Sequence, residues 1–328
     1  MENPPIEKNI CNTIREAKNG SKRFETEAGT ELTMSILAWI KKIPMGIRRK
    51  IIQIAAFGFM NMHLGNLGVG KIYTGKWKNF CAPGLNCYSC PAAAFSCPIG
   101  AMQSIAKSPK TSFSLYAVGI ILAFGVVLGR AVCGFLCPFG LLQDLLGLIP
   151  LPKFRLKKIF RYLKYVVLVV FVLLLPAVVT NVVGMGKPWF CEYICPAGTL
   201  EGGLFLVLGN PALRGTIGWV FWLKIGILAA IVILCLFCTR FFCKTLCPLG
   251  AIYGLLNKIS LYHLQLDKNK CVDCGKCSSV CKMDVDPSKE VRSTECILCG
   301  KCTASCPAHA LKMSWKIKEK EPDMEKQV

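Results

Sequence analysis

The chain is poor in the residues from which most active sites are built. Its 328 residues include three histidines, and acidic residues number 19 against 40 basic ones. No Ser/His/Asp set, phosphate loop or pair of catalytic carboxylates stands out, so nothing suggests a substrate pocket. The first 33 residues are polar, mixed in charge and without an apolar core, so no secretory signal is expected. Basic residues lie beside apolar runs and not among exposed aromatics, which gives no reason to expect a nucleic-acid partner.

What the chain has is apolar length and cysteine. It is 53% hydrophobic, with a mean hydropathy of +0.46. That is too apolar for an ordinary soluble protein of this size. Its 21 cysteines are spaced too tightly for a disulfide framework to be the first reading; metal ligation is the better one. The formal charge of +21 counts every thiol as neutral. A four-thiolate [4Fe-4S] cluster carries roughly −1 to −2 overall, and basic membrane flanks explain much of the remainder.

Four apolar runs, 51–70, 113–135, 164–185 and 217–239, are read as spans. At ~1.5 Å per residue each suits ~30 Å of hydrocarbon. The first carries Gln53, Asn61, His63 and Asn66, which should face protein. His63 is read as a hydrogen-bonded interior residue, with a quinone or haem contact as the alternative. Lys224 interrupts the last run and is expected to snorkel to the headgroups. Residues 1–47 read as a cytoplasmic tail. Within it, 32–46 suits either a helix lying flat on the membrane or a soluble packing helix. Residues 314–328 read as a charged tail. Lys41, Lys42, Arg48, Arg49 and Lys50, then Arg130, Lys153, Arg155, Lys157, Lys158 and Arg161, favour a multi-pass protein of the cytoplasmic membrane with both termini inside. Lys71, Lys76, Lys78, Lys107 and Lys110 disagree.

Residues 263–313 hold "CVDCGKCSSVC" and "CILCGKCTASCP", two Cys-x2-Cys-x2-Cys-x3-Cys runs whose matching cysteines lie 25 residues apart. This is the bacterial two-cluster ferredoxin pattern, in which the fourth ligand of each cluster comes from the other run. It assigns Cys271, Cys274, Cys277 and Cys306 to one cluster, and Cys296, Cys299, Cys302 and Cys281 to the other. Lys282 stands where the first run would carry a proline. A zinc module is the alternative.

The membrane region, 48–262, repeats a different motif. Cys97, Cys137, Cys195 and Cys247 each precede Pro-x-Gly, and the last three have Cys133, Cys191 and Cys243 four residues earlier. Proline favours the first position of a helix, so each cysteine should sit at a helix N-cap, where the dipole favours a thiolate. Arg130 and Arg240 each lie three residues before a first cysteine, which implies a tandem repeat of about 110 residues, over about 48–150 and 160–260. Alternate motifs fall on opposite faces. Cys133, Cys137, Cys243 and Cys247 form an inner set of four. Cys191 and Cys195 form an outer set with candidates Cys97, then Cys87 and Cys90, and last Cys81. Cys235 and Cys238 read equally as buried hydrophobes or as functional thiols, and Cys11 as inert.

With both features placed, the chain resembles the membrane-bound polyferredoxins: the four-span ferredoxin subunit of periplasmic nitrate reductase systems and the C-terminal half of the nitrous oxide reductase regulator. The resemblance covers roughly 48–312. It implies a mainly α membrane protein of about four helices in two repeats, with a small α+β ferredoxin domain at its C-terminal end. The [4Fe-4S] clusters expected are two in that domain and two in the membrane region. The outer cysteines go beyond the nitrate-system subunit and favour a protein that carries electrons across the membrane. Expected partners are other subunits of a membrane redox complex, an extracytoplasmic flavin- or haem-carrying protein and a soluble ferredoxin or similar donor. The alternative is a redox sensor, or an assembly factor that reduces a metal for a partner respiratory enzyme. With the two faces ~30 Å apart, the inner and outer sets are expected to need either short helices dipping inward or a carrier between them.

Overall fold

The structure is a computed structural model that describes residues 45–105, 114–179 and 187–315. The tail before residue 45 with Cys11, most of the 32–46 stretch, the end of the third apolar run and the charged tail after 315 lie outside the described residues. Arg49–Val328 forms one compact unit.

The described chain is mainly helical. Helix α1 is Met45–Met60; α2, Pro98–Ile105; α3, Ser114–Leu128; α4, Ala131–Phe135; α5, Pro138–Leu146. Then come α6, Lys158–Val178, with π-type hydrogen bonding over Val167–Leu174; α7, Gly198–Gly209; α8, Trp219–Phe237; α9, Phe241–Thr245; and α10, Pro248–Leu256. The ferredoxin module adds strand β1, Tyr262–Leu266, short helices α11, Lys276–Ser279, and α12, Lys301–Ser305, and strand β2, Leu311–Trp315. The strands pair antiparallel, Tyr262 opposite Trp315 and Leu266 opposite Leu311.

Among the described residues, two helices, α6 and α8, are long and apolar enough to cross a membrane. Only 28% and 17% of their apolar windows are buried. Ile159, Val169, Val178, Trp219, Trp222 and Ile233 stand exposed along them, an apolar surface of the kind that meets lipid or a partner.

The other two expected spans differ from the sequence reading. The first stops at Met60, because Asn61 turns its side-chain amide onto the Phe57 carbonyl at 3.1 Å and the chain breaks into turns. The second is helical only over α3, whose 15 residues reach ~22 Å. Its C-terminal third bends at Gly129 (φ 55°) into α4. The other repeat also has a left-handed residue before its cysteine motif, Arg240 (φ 55°), one position later in register than Gly129.

Several expected membrane flanks are interior. Arg49, Arg130 and Lys78 are 1%, 0% and 4% exposed. Lys78 donates to the Ala93 carbonyl at 2.7 Å, and Lys224 turns inward to the Cys191 carbonyl at 3.4 Å instead of snorkelling. The ferredoxin module shares its core with the cysteine-motif domain: Met283, Val285 and Ile297 pack in the same cluster as Cys133, Cys137 and Cys247.

Candidate metal centres

Each half of the ferredoxin module folds the same way at the backbone. Asp273 and Leu298, Gly275 and Gly300, Asp284 and His309 form three pairs with left-handed φ, each separated by the spacing of the two cysteine runs. Those turns point the sulfurs into two cavities. One is lined by Cys271, Cys274, Cys277, Cys306 and Pro307; the other by Cys281, Cys296, Cys299 and Cys302. The first lies at the surface, with Cys274 exposed. In the second, burial and then the neighbouring thiols push Cys296 and Cys302 up to about 12. Four such thiols ionise together only around compensating positive charge, which an iron cluster supplies. Lys282, the departure from the ferredoxin pattern, donates to Asp144 of α5 at 2.8 Å and ties the module to the repeat.

The inner set has a pseudo-twofold arrangement. Arg130 donates to the Cys243 carbonyl at 2.8 Å, and Arg240 donates to the Cys133 carbonyl at 2.9 Å. Each arginine thus braces the other repeat's motif. Gly140 and Gly250 leave room for this: a Cβ on Gly140 would stand 2.9 Å from the Cys133 carbonyl oxygen, and one on Gly250 would stand 3.4 Å from the Arg130 guanidinium. Cys137 and Cys247 are the N-cap residues of α5 and α10, with proline at the first turn. The Cys247 thiol interacts electrostatically with Cys243, Cys133 and Cys137.

Buried cations surround this set. Arg49, Arg240 and Lys282 converge on Asp144; Arg130 and Lys164 share Glu295; Lys244 pairs with Asp284. The cations outnumber the carboxylates. Buried positive charge without a counter-ion costs several kcal/mol per group, so the pocket fits thiolates around an iron–sulfide core, an assembly anionic overall.

In the outer region, Cys195 interacts with Cys191, Cys87 and Cys97. Gly198 and Gly202 bring the chains together; Cβ atoms there would stand 3.7 Å and 3.3 Å from the Cys87 sulfur. Cys90, ranked with Cys87 from its spacing, packs against Cys87 and beside Ala92 and Ala93. Cys81 lies against the Ser96 hydroxyl at 3.7 Å. No described cysteine is disulfide-bonded.

All four Cys-Pro-x-Gly motifs use the glycine amide in the same way. Gly198 donates to Cys195 and Gly250 to Cys247, each at 3.3 Å, while the Gly100 and Gly140 amides lie within reach of Cys97 and Cys137. The amide and the helix dipole favour negative sulfur. Sequence reasoning missed two further residues. Gln143 donates to the Cys243 sulfur at 3.1 Å, and Gln103 donates to the Cys191 sulfur at 3.0 Å. Both follow the pattern Cys-Pro-x-Gly-x-x-Gln, which was available to find them. Cys235 backs this contact, its thiol 3.7 Å from the Gln143 carbonyl oxygen. His63 stacks on Tyr73 at 3.9 Å, and its Nδ1 has no hydrogen-bond partner among the described residues.

Among the described residues no three His, Cys, Asp or Glu side chains converge closely enough to hold a single metal ion. What the structure offers is cysteine sulfur lining two cavities and neighbouring other thiols in the two motif regions, the donor type of an iron–sulfur protein. A 4Fe-4S binding domain family matches residues 111–158, 166–214 and 219–265. An uncharacterised protein of Methanocaldococcus jannaschii is 31% identical over 60% of this chain and 68% of its own length. The methylamine utilization ferredoxin-type protein MauN of Methylorubrum extorquens is 30% identical over 56% of this chain and 59% of its own. The ferredoxin-type protein NapH of Haemophilus influenzae is 30% identical over 56% of this chain and 58% of its own, so the match spans under two thirds of both named proteins. No solved structure matches the chain. The chain belongs to the membrane polyferredoxin family, and it is a 4Fe-4S electron-transfer protein.

Proposed function

We propose that the protein is a multi-pass electron conduit of the cytoplasmic membrane, with both termini in the cytoplasm and four [4Fe-4S] clusters. Cys271, Cys274, Cys277 and Cys306 would hold the entry or exit cluster, and Cys281, Cys296, Cys299 and Cys302 the second. Cys133, Cys137, Cys243 and Cys247 would hold the third, and Cys87, Cys97, Cys191 and Cys195 the last. Each cluster would supply one-electron chemistry that needs no proton.

The observation that carries this reading is the sequence of environments. The cavity with Cys274 opens to solvent, where a soluble ferredoxin could dock. The next is packed against the core that contains the inner set. Arg240 lies within electrostatic reach of both Cys299 and Cys243 and so links the ferredoxin module to the membrane motifs. On the far side a flavin- or haem-carrying subunit is the partner implied, and the protein serves as an electron-transfer subunit and not as a stand-alone catalyst.

The test is electron delivery in sealed vesicles containing the protein, with reduced ferredoxin on one side and an impermeant acceptor on the other. Steady reduction of the acceptor is the expected result. A single turnover with no onward flow would instead identify a sensor or a metal-reducing assembly factor.

A further inference from the structure

The inner and outer cysteine sets are expected, from span length, to lie on opposite faces. The loop 81–97 and helix α10 bring them together. Helices α5 and α10 have 9 residues each and α2 has 8, which is ~12–14 Å of length. Each begins at its cysteine and runs away from it. Helices α2 and α10 both pack against α3 and α6. Cys97 and Cys247 therefore begin short helices that pack on the same two long helices.

Between the sets runs Pro83–Gly84–Leu85–Asn86. Gly84 passes so close to the inner motif that a Cβ would stand 2.9 Å from Cys137 Cα and 3.2 Å from Pro138 Cδ. The Leu85 amide lies within hydrogen-bonding reach of the Cys137 thiol. The next amide, that of Asn86, lies within reach of the Cys97 thiol. Consecutive amides thus face ligands of different sets, which places the two sulfurs on either side of one peptide unit. Tyr253 of α10 closes the segment from the other side. It is fully buried, its hydroxyl donates to the Pro83 carbonyl at 2.8 Å, and it lies within electrostatic reach of Cys133, Cys137, Cys247 and Cys97. Leu85, Tyr253, Cys97, Cys137 and Cys195 share one core.

We propose that the inner and outer sets form a directly coupled pair, with Leu85–Asn86 as the bridge and Tyr253 as its clasp, so that an electron passes between them in one step and no quinone or other carrier intervenes. The proposal rests on the conduit reading and its assignment of a cluster to each set. One cluster loses the electron that the other gains, and no bond forms or breaks. The through-bond route is Cys137 Sγ, Leu85 N, Cα and C, Asn86 N, Cys97 Sγ.

The test is electron paramagnetic resonance on the full-length protein, purified anaerobically, reduced, and compared with Cys191→Ala/Cys195→Ala, in which the outer set cannot fill. Iron should fall from about 16 to about 12 per chain. The inner-cluster signal should change from split and fast-relaxing to narrow, with relaxation at least about tenfold slower. An inner signal identical in the two proteins, with iron falling as stated, would overturn direct coupling and leave the conduit reading standing. About 8 iron per chain in the unaltered protein would overturn both. A second variant, Tyr253→Phe, keeps all ligands and removes only the clasp. It should retain about 16 iron and reduce the splitting measurably; unchanged splitting would overturn the role given to Tyr253.

Discussion

In the inner set, Gln143 gives its amide to Cys243, and the glycine amides of two helix turns reach Cys137 and Cys247. In the outer set, Gln103 does the same for Cys191, and the glycine amides reach Cys97 and Cys195. The surroundings then part. The inner set is ringed by Arg130, Arg240 and Lys164, all fully buried. The outer set has Glu201, a half-buried carboxyl that accepts the Cys87 amide at 2.8 Å, and two lysines: Lys224 on the Cys191 carbonyl, and the buried Lys78 on the Cys90 and Ala93 carbonyls. The position three residues before the first cysteine is arginine in both inner motifs and Pro188 in the outer one. Similar hydrogen bonding with unequal charge predicts that the ion pairs, and not the amides, set the difference in potential between clusters held at the two sets. Positive surroundings stabilise the reduced, more negative cluster, so the inner one is expected at the higher potential.

The sharpest way to break the comparison is to remove ligands from one side only. Cys137→Ala/Cys247→Ala should lose about 4 of about 16 iron atoms and abolish transfer across vesicles while leaving the ferredoxin clusters reducible. Cys90→Ser, outside the four interacting outer thiols, should keep all its iron. Loss of about 4 iron in Cys90→Ser would return Cys90 to the ligand set in place of Cys87.

Next in size is the charge network. Asp144→Asn leaves Arg49, Arg240 and Lys282 converging on a neutral group. Breaking a buried pair in this way costs about 3–5 kcal/mol. A lowered melting temperature in detergent is expected, and an unchanged one would mean that the cations are balanced by the cluster alone. Arg240→Gln should also lower the inner potential in a redox titration and leave the outer potential unmoved. Arg240 occupies a left-handed conformation that costs ~1–3 kcal/mol, which its bonds to Asp144, the Cys133 carbonyl and the Gly140 carbonyl offset.

Much of the molecule was readable from spacing because the chemistry is local. The ferredoxin turns are set by Cys-x2-Cys runs and a glycine within a few residues, and the repeat is visible in Arg130/Arg240 and in Cys-Pro-x-Gly. Spans were less readable. An apolar run reports transfer energy and not where the backbone turns, so the run through Gly129 hid a bend, and the run through Met60 hid a helix end made by Asn61. Charge was misread for the same reason: Arg49 and Arg130 look like membrane flanks in sequence, yet their partners Asp144 and Glu295 are 95 and 165 residues away. The approach of Gly198 and Gly202 from the other repeat to the Cys87 sulfur is a contact that no local pattern shows.

The smallest expected effect separates amide from charge most cleanly. Gln103 and Gln143 occupy equivalent positions on α2 and α5, are both buried, and each makes one side-chain bond to sulfur. Replacing either with alanine removes that donor and leaves every ion pair in place. A hydrogen bond to a charged acceptor is worth about 1.5–3 kcal/mol, but only its change between oxidation states moves the potential. Gln143→Ala should lower the inner potential and Gln103→Ala the outer one, by similar amounts, each leaving the other cluster as it was. The Gln143 shift should be smaller than that of Arg240→Gln. If instead Gln143→Ala moved the inner potential as far as the arginine substitution did, the amides and not the ion pairs would set the difference between the two sets.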